Sequence, residues 1–122
     1  MFKKVAMSIA VLSISFGVAQ AEGDAAKGEK VFRKCKACHD VEEQKNKVGP
    51  YLKGVIGRPS GTVEGFKYSD AMANADLTWD PETIDKYLAD TKGFIPGNRM
   101  AFPGLKKEQD RADVIAYLQS MQ

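Results

Sequence analysis

Five consecutive residues carry most of the chemistry open to this chain: Cys35-Lys36-Ala37-Cys38-His39. They hold both cysteines and the single histidine of its 122 residues. The spacing C-x-x-C-H is the attachment signal of a c-type haem. Thiols at Cys35 and Cys38 reach the two vinyl groups on adjacent pyrrole rings and form two thioethers. The imidazole of His39, directly after the second thiol, then falls under the iron, where a neutral ring nitrogen is a good axial ligand. Three other uses of these residues compete. A thioredoxin-type C-x-x-C follows a strand and opens a helix, whereas this one ends a helical stretch with no strand beside it. A zinc site takes about four ligands, more than two cysteines and one histidine supply. A plain disulfide leaves His39 without a role.

With haem in place, the sixth iron ligand decides the function. No second histidine exists, which leaves methionine, lysine, water or nothing. Beyond residue 21 the methionines are Met72, Met100 and Met121. Met72 falls in a short helical stretch and Met121 is penultimate. Met100 lies in Ile95-Pro96-Gly97-Asn98-Arg99-Met100-Ala101-Phe102-Pro103-Gly104, a loop stiffened by prolines. A lone methionine is usually core filler, but one held in a rigid loop is the better ligand candidate. Thioether sulfur favours Fe(II) over Fe(III) and raises the reduction potential. His/Met ligation also leaves no open position for a substrate, a combination suited to carrying electrons.

Few elements are needed to hold such a site. Residues 1–21 read as an export signal: basic Lys3-Lys4, an apolar stretch from 5 to 18, then Ala19-Gln20-Ala21 with cleavage expected after Ala21. The apolar run is interrupted by serines and falls short of the ~20 residues of a membrane span. The expected mature chain is one domain, residues 22–122, exported to the periplasm without stable membrane insertion. Of 18 Lys+Arg, Lys3 and Lys4 leave with the signal, so 16 basic residues face 16 acidic ones. That balance argues against a nucleic-acid binder, which needs a strongly basic surface. Asp24 is placed to cap a helix over residues 25–35. Residues 40–69, rich in glycine, read as a long irregular loop, unusual unless it wraps something. A short helix is expected at 69–75, a second from Asp80-Pro81 to about Asp90, and a last one over 108–120 with Val114, Tyr117, Leu118 and Met121 on its apolar face. The class is all-α, with four to five helices and long loops around one haem.

These motifs together resemble class I cytochrome c, in particular the bacterial soluble cytochrome c2 type, close to mitochondrial cytochrome c. The similarity runs from Gly23-Asp24 to Tyr117-Leu118. Gly49-Pro50-Tyr51-Leu52 is similar to the family's G-P-x-L, which implies that the Pro50 carbonyl accepts a hydrogen bond from the proximal imidazole. Pro96-Gly97-Asn98-Arg99-Met100 resembles the family's ligand loop P-G-T-K-M and implies Met100 as the second axial ligand. By the same resemblance Arg58, Tyr68 and Trp79 serve the haem propionates, Tyr87 lies close to the ligand sulfur, and Phe102 belongs to the pocket. Gly28, Phe32, Val114 and Tyr117 match the family's crossing of first and last helices. The chain departs from the pattern at Asn98, Met72 and Thr91, where the family commonly has threonine, asparagine and proline.

The resemblance implies a monomeric one-electron carrier, not an enzyme, shuttling between a bc1-type complex and a terminal oxidase or photosynthetic reaction centre. Lys34, Lys36, Lys47, Lys92, Arg99, Lys106 and Lys107 flank the haem motif, the Gly49-Pro50 loop or the methionine loop and are the expected docking charges. Acids gather elsewhere, at Asp40, Glu42, Glu43, Asp80, Glu82 and Asp85, so a dipole survives at zero net charge. The contrasting expectation is a haem enzyme or sensor, peroxidase-like or gas-binding, with a labile sixth ligand.

Overall fold

Asp24 turns an extended chain into the first helix, α1 (Ala25–Phe32), its carboxylate accepting the Lys27 backbone N–H. The computed structural model describes residues 8–10 and 22–122; the expected export signal lies otherwise outside the described residues. The helix expected to reach residue 35 stops at Phe32. The N–H groups of Arg33, Lys34 and Cys35 bond three residues back, to Lys30, Val31 and Phe32, and that tightening unwinds the α-helix into turns. Those turns end with the Cys38 and His39 N–H groups both on the Cys35 carbonyl, which packs the whole C-x-x-C-H segment into one compact bend.

The long stretch after it is irregular, as its glycines imply. Among the described residues there is no strand, only an isolated antiparallel bridge between Pro59 and Thr78. Around that bridge the Gly57 N–H donates to Trp79 O, the Trp79 N–H to Arg58 O and the Ser60 N–H to Leu77 O. Gly57 has φ 85, a conformation glycine adopts without penalty. These bonds fix Arg58 and Trp79 relative to each other.

Three short elements follow. Ser69 caps α2 (Asp70–Ala73) through the Met72 N–H, so this helix is shorter than the expected 69–75. Asp80 caps α3 (Pro81–Ala89) through Thr83, with proline at its start. Then comes α4 (Thr91–Phe94), absent from the sequence-based expectation. Asp90 closes α3 in an extended conformation and at once caps α4 by accepting the Gly93 N–H. The last helix, α5 (Glu108–Ser120), has the expected bounds.

α1 and α5 cross at the heart of the core, where Phe32, Val114 and Leu118 join Val41, Val55 and Leu105. Gly28 makes the crossing close: a Cβ there would collide with the Asp113 carbonyl and lie 2.8 Å from the Tyr117 Cβ. Phe32 and Tyr117 pack as a tilted aromatic pair, centroids 5.4 Å apart. The buried Asp113 carboxylate accepts the Asp24 N–H at 2.9 Å and the Gln109 amide at 2.8 Å. Those two bonds, the backbone one first, hold its carboxyl below the usual carboxylate range. α3 is tied to α5 by Arg111, which donates to Asp85 and to the Leu105 carbonyl, each at 2.8 Å. No helix among the described residues is long and apolar enough to cross a membrane.

Candidate haem site

A cleft of about 740 Å³ opens between these elements, largely apolar and within the size range of cofactor sites. Cys35, Cys38 and His39 reach it from the bend after α1, Pro50 and Arg58 from the irregular stretch, Trp79 and Tyr87 from the middle of the chain, and Met100 and Phe102 from the loop before α5. Tyr68 and Met72 also line it. The chain thus brings every expected haem-contacting residue to one cavity.

The imidazole is the best-defined element. His39 Nδ1 lies 2.7 Å from the Pro50 carbonyl oxygen. A carbonyl only accepts, so Nδ1 carries the proton and Nε2 keeps its lone pair for a metal. Gly49 flanks the ring so tightly that a Cβ would strike it, and this pins the ring plane. Burial lowers the imidazole pKa below its ordinary value; the Pro50 bond opposes that and Lys47 adds to it. The neutral form needed for ligation is therefore favoured.

Cys35 and Cys38 are free thiols, both half-buried. Burial pushes the Cys35 thiol up to about 11, Cys38 adding and Lys34 opposing. Redox-active C-x-x-C pairs show the reverse, a depressed thiol pKa. At the Met100 end, the Tyr87 hydroxyl donates to the sulfur at 3.9 Å. Burial raises the Tyr87 phenol to about 12, so it stays protonated and able to donate. Tyr87 packs against Trp79, the rings tilted at 45° with centroids 5.2 Å apart. A neutral imidazole, a fixed thioether and two adjacent thiols around an apolar cavity form a donor set that fits covalent haem, whereas only three of them, the imidazole and the two thiols, suit zinc, one short of a tetrahedral site. Among the described residues no group of three or more histidines, cysteines or acids could hold a metal ion directly.

The two expected propionate partners outside the indole are partly engaged within the chain. Arg58 donates to the carbonyls of Tyr51 and Lys53, both at 2.7 Å, and stacks over the Tyr51 ring. The Tyr68 hydroxyl accepts the Val63 N–H at 3.0 Å, which leaves its hydrogen to donate. Each side chain retains donors for an anion.

All seven expected docking cations are exposed, but they are not alike. Lys34, Lys47 and Arg99 line the cleft mouth. The Lys47 ammonium donates to the Lys36 carbonyl at 3.0 Å, bracing the haem motif from outside. The Lys92 ammonium donates to the Asn98 carbonyl at 2.8 Å. Lys36, Lys106 and Lys107 stand on the surface near these segments. The bracing roles of Lys47 and Lys92 and the ring contact of Gly49 escape sequence reasoning. They depend on segments meeting in space, and no local pattern announces them.

Comparison with known proteins agrees with this geometry. The cytochrome c family model matches residues 25–122. Cytochrome c2 iso-2 of Magnetospirillum fulvum is 61% identical over 90 residues, covering 74% of this chain and 94% of that protein. Cytochrome c2 of Rhodomicrobium vannielii is 53% identical over 116 residues, covering 94% and 92%. The solved structure of cytochrome cH from Methylobacterium extorquens superposes with a TM-score of 0.76 at 48% identity, over 80% of this chain and 99% of that one. A C-x-x-C-H bend, an all-α scaffold and a family match over the whole folded region leave one conclusion: the chain belongs to the cytochrome c family, as a class I protein of the bacterial cytochrome c2 type carrying covalently bound haem c.

Proposed function

We propose that this chain is a soluble periplasmic one-electron carrier in which Cys35 and Cys38 hold the haem by thioethers and His39 and Met100 are its axial ligands. The observation that carries the reading is the pairing of His39, its Nδ1 proton committed to Pro50 at 2.7 Å, with a Met100 sulfur held near Tyr87 in the same cleft. Haem bound there would supply the Fe(III)/Fe(II) couple. The chain supplies the rest. The Pro50 carbonyl fixes the imidazole tautomer and strengthens its donor nitrogen. The apolar walls exclude water, and neutral sulfur ligation favours the reduced form. Retention of both axial ligands in either oxidation state, with water excluded, would keep reorganisation small.

Docking is proposed to run through the exposed cations around the cleft mouth, Lys34, Lys36, Lys47, Arg99, Lys106 and Lys107 together with Lys92. Their partner surfaces would be acidic faces of a bc1-type donor and of an oxidase or reaction centre. The domain doing this is residues 22–122, released from its export signal after Ala21. No observation favours the contrasting reading, a haem enzyme or sensor with an open sixth position. Purified mature protein mixed with membranes from its own source tests the proposal. Reduction and reoxidation should be rapid, one-electron, and slower as salt rises, since screening weakens steering. Salt-independent transfer would overturn the docking surface. Peroxide turnover without electron exchange would overturn the carrier.

A further inference from the structure

Two buried polar side chains, Thr91 and Asn98, tie down the loop on either side of Met100. Thr91 is 0% exposed and Asn98 6%. Asn98 uses its whole amide. Its Nδ2 donates to the Thr91 and Ile95 carbonyls, both at 2.8 Å. Its Oδ1 accepts the Met100 backbone N–H at 2.9 Å and the Lys92 ammonium at 3.3 Å. Thr91 acts on the far side of the methionine: its hydroxyl donates to the Phe102 carbonyl and its N–H reaches the Pro103 carbonyl. Both shoulders of the methionine loop therefore close on one buried residue at the start of α4. Met100 sits between them, flanked by exposed Arg99 and Ala101.

A neutral thioether is a replaceable ligand, and its hold depends on how little ordering the chain must undergo to present it. We propose that Asn98, anchored on Thr91, is the positioning residue that keeps the Met100 sulfur at the iron and small nitrogen ligands away from it. The two residues stand at positions where the family commonly has threonine and proline. Proline cannot supply the hydroxyl bond to Phe102, and threonine lacks the two amide donors. The inference rests on the proposed His39/Met100 ligation.

Imidazole binding to the oxidised holo-protein tests it, followed by loss of the weak long-wavelength methionine-to-iron band. Asn98→Ala removes the bonds to Thr91, Ile95 and Met100 together, and the apparent imidazole affinity should rise at least about tenfold. Thr91→Val removes only the hydroxyl bond to Phe102 and should give a smaller rise, which Thr91→Ser restores to the parent value. Asp113→Asn, a change at the helix crossing, should leave imidazole affinity unchanged even where it lowers the unfolding midpoint. Should Asn98→Ala yield no folded holo-protein, the Thr91→Val and Thr91→Ser pair decides. Parent-like imidazole affinity in Asn98→Ala, or in Thr91→Val in its place, overturns the clamp. So does an affinity that merely follows the unfolding midpoint across all variants. Absence of the methionine band from the unsubstituted protein would instead overturn the ligation reading, so the two failures are distinguishable.

Discussion

Gly28→Ala adds one methyl group at the point where α1 and α5 are closest. The new Cβ would lie 2.5 Å from the Asp113 carbonyl carbon and 2.8 Å from the Tyr117 Cβ. Ordinary carbon contacts need about 3.5–4.0 Å, so the two helices must part by roughly 1 Å. That displacement loosens the Phe32, Val114 and Leu118 contacts, the tilted Phe32–Tyr117 pair at 5.4 Å, and the Asp24–Asp113 hydrogen bond at 2.9 Å. Forcing one extra carbon into such a site costs about 1–3 kcal/mol or more. Alanine returns up to about 1 kcal/mol of helix propensity. Rigid backbone on the far side puts the cost toward the upper end, and the net loss is about 2 kcal/mol, or roughly 8–16 °C in Tm for a domain of this size. Thermal unfolding of the holo-protein by far-ultraviolet circular dichroism measures it, with Lys27→Ala as a surface control on the same helix. A Gly28→Ala protein at or above the parent Tm would refute the close crossing, because helix propensity alone would then decide.

Two further outcomes follow from named contacts. Arg58→Met leaves the Tyr51 and Lys53 carbonyls without their donors and should cost about 2 kcal/mol in denaturant unfolding; Arg58→Lys should fail to restore it, since an ammonium lacks the fork that serves both oxygens. The Asp24 N–H, and then Gln109, hold the Asp113 carboxyl below the usual carboxylate range. A depressed folded-state pKa contributes stability above the unfolded-state value and loses it as pH falls through the folded one. The Tm gap between the parent and Asp113→Asn should therefore be widest near neutral pH and shrink below about pH 4; a gap that is constant down to pH 2 would contradict that origin.

The haem motif and the helix starts were legible because each is a local pattern. Asp24, Ser69 and Asp80 cap through bonds within three residues of themselves, and Pro81 marks a first turn by its fixed φ. The C-terminal half of α5 is marked by the apolar residues Val114, Ile115 and Leu118 that it buries, while its start at Glu108 lies in a polar stretch with no side-chain cap. α1 stops short of the expected residue 35 although Arg33 and Lys34 are good helix formers; the compact bend that carries the cysteines overrides that propensity. α4 was missed because Thr91 and Gly93 are poor helix formers and Asp90 serves two helices at once. Arg58, Lys47 and Lys92 bind carbonyls whose positions exist only after folding. Asn98 is intermediate: its bond to the Met100 N–H two residues on is a local asparagine habit, while its bonds to Thr91 and Ile95 need α4 in place.

The central claim is that His39 and Met100 ligate one covalently held haem in a low-spin, closed site. The oxidised visible spectrum of the mature protein, beside that of Met100→Ala, tests it most directly. The expected result is a low-spin spectrum with the weak long-wavelength methionine-to-iron band, lost in Met100→Ala together with a fall in reduction potential, while haem remains attached through denaturation. A high-spin native spectrum, or a methionine band that survives Met100→Ala, would contradict the account.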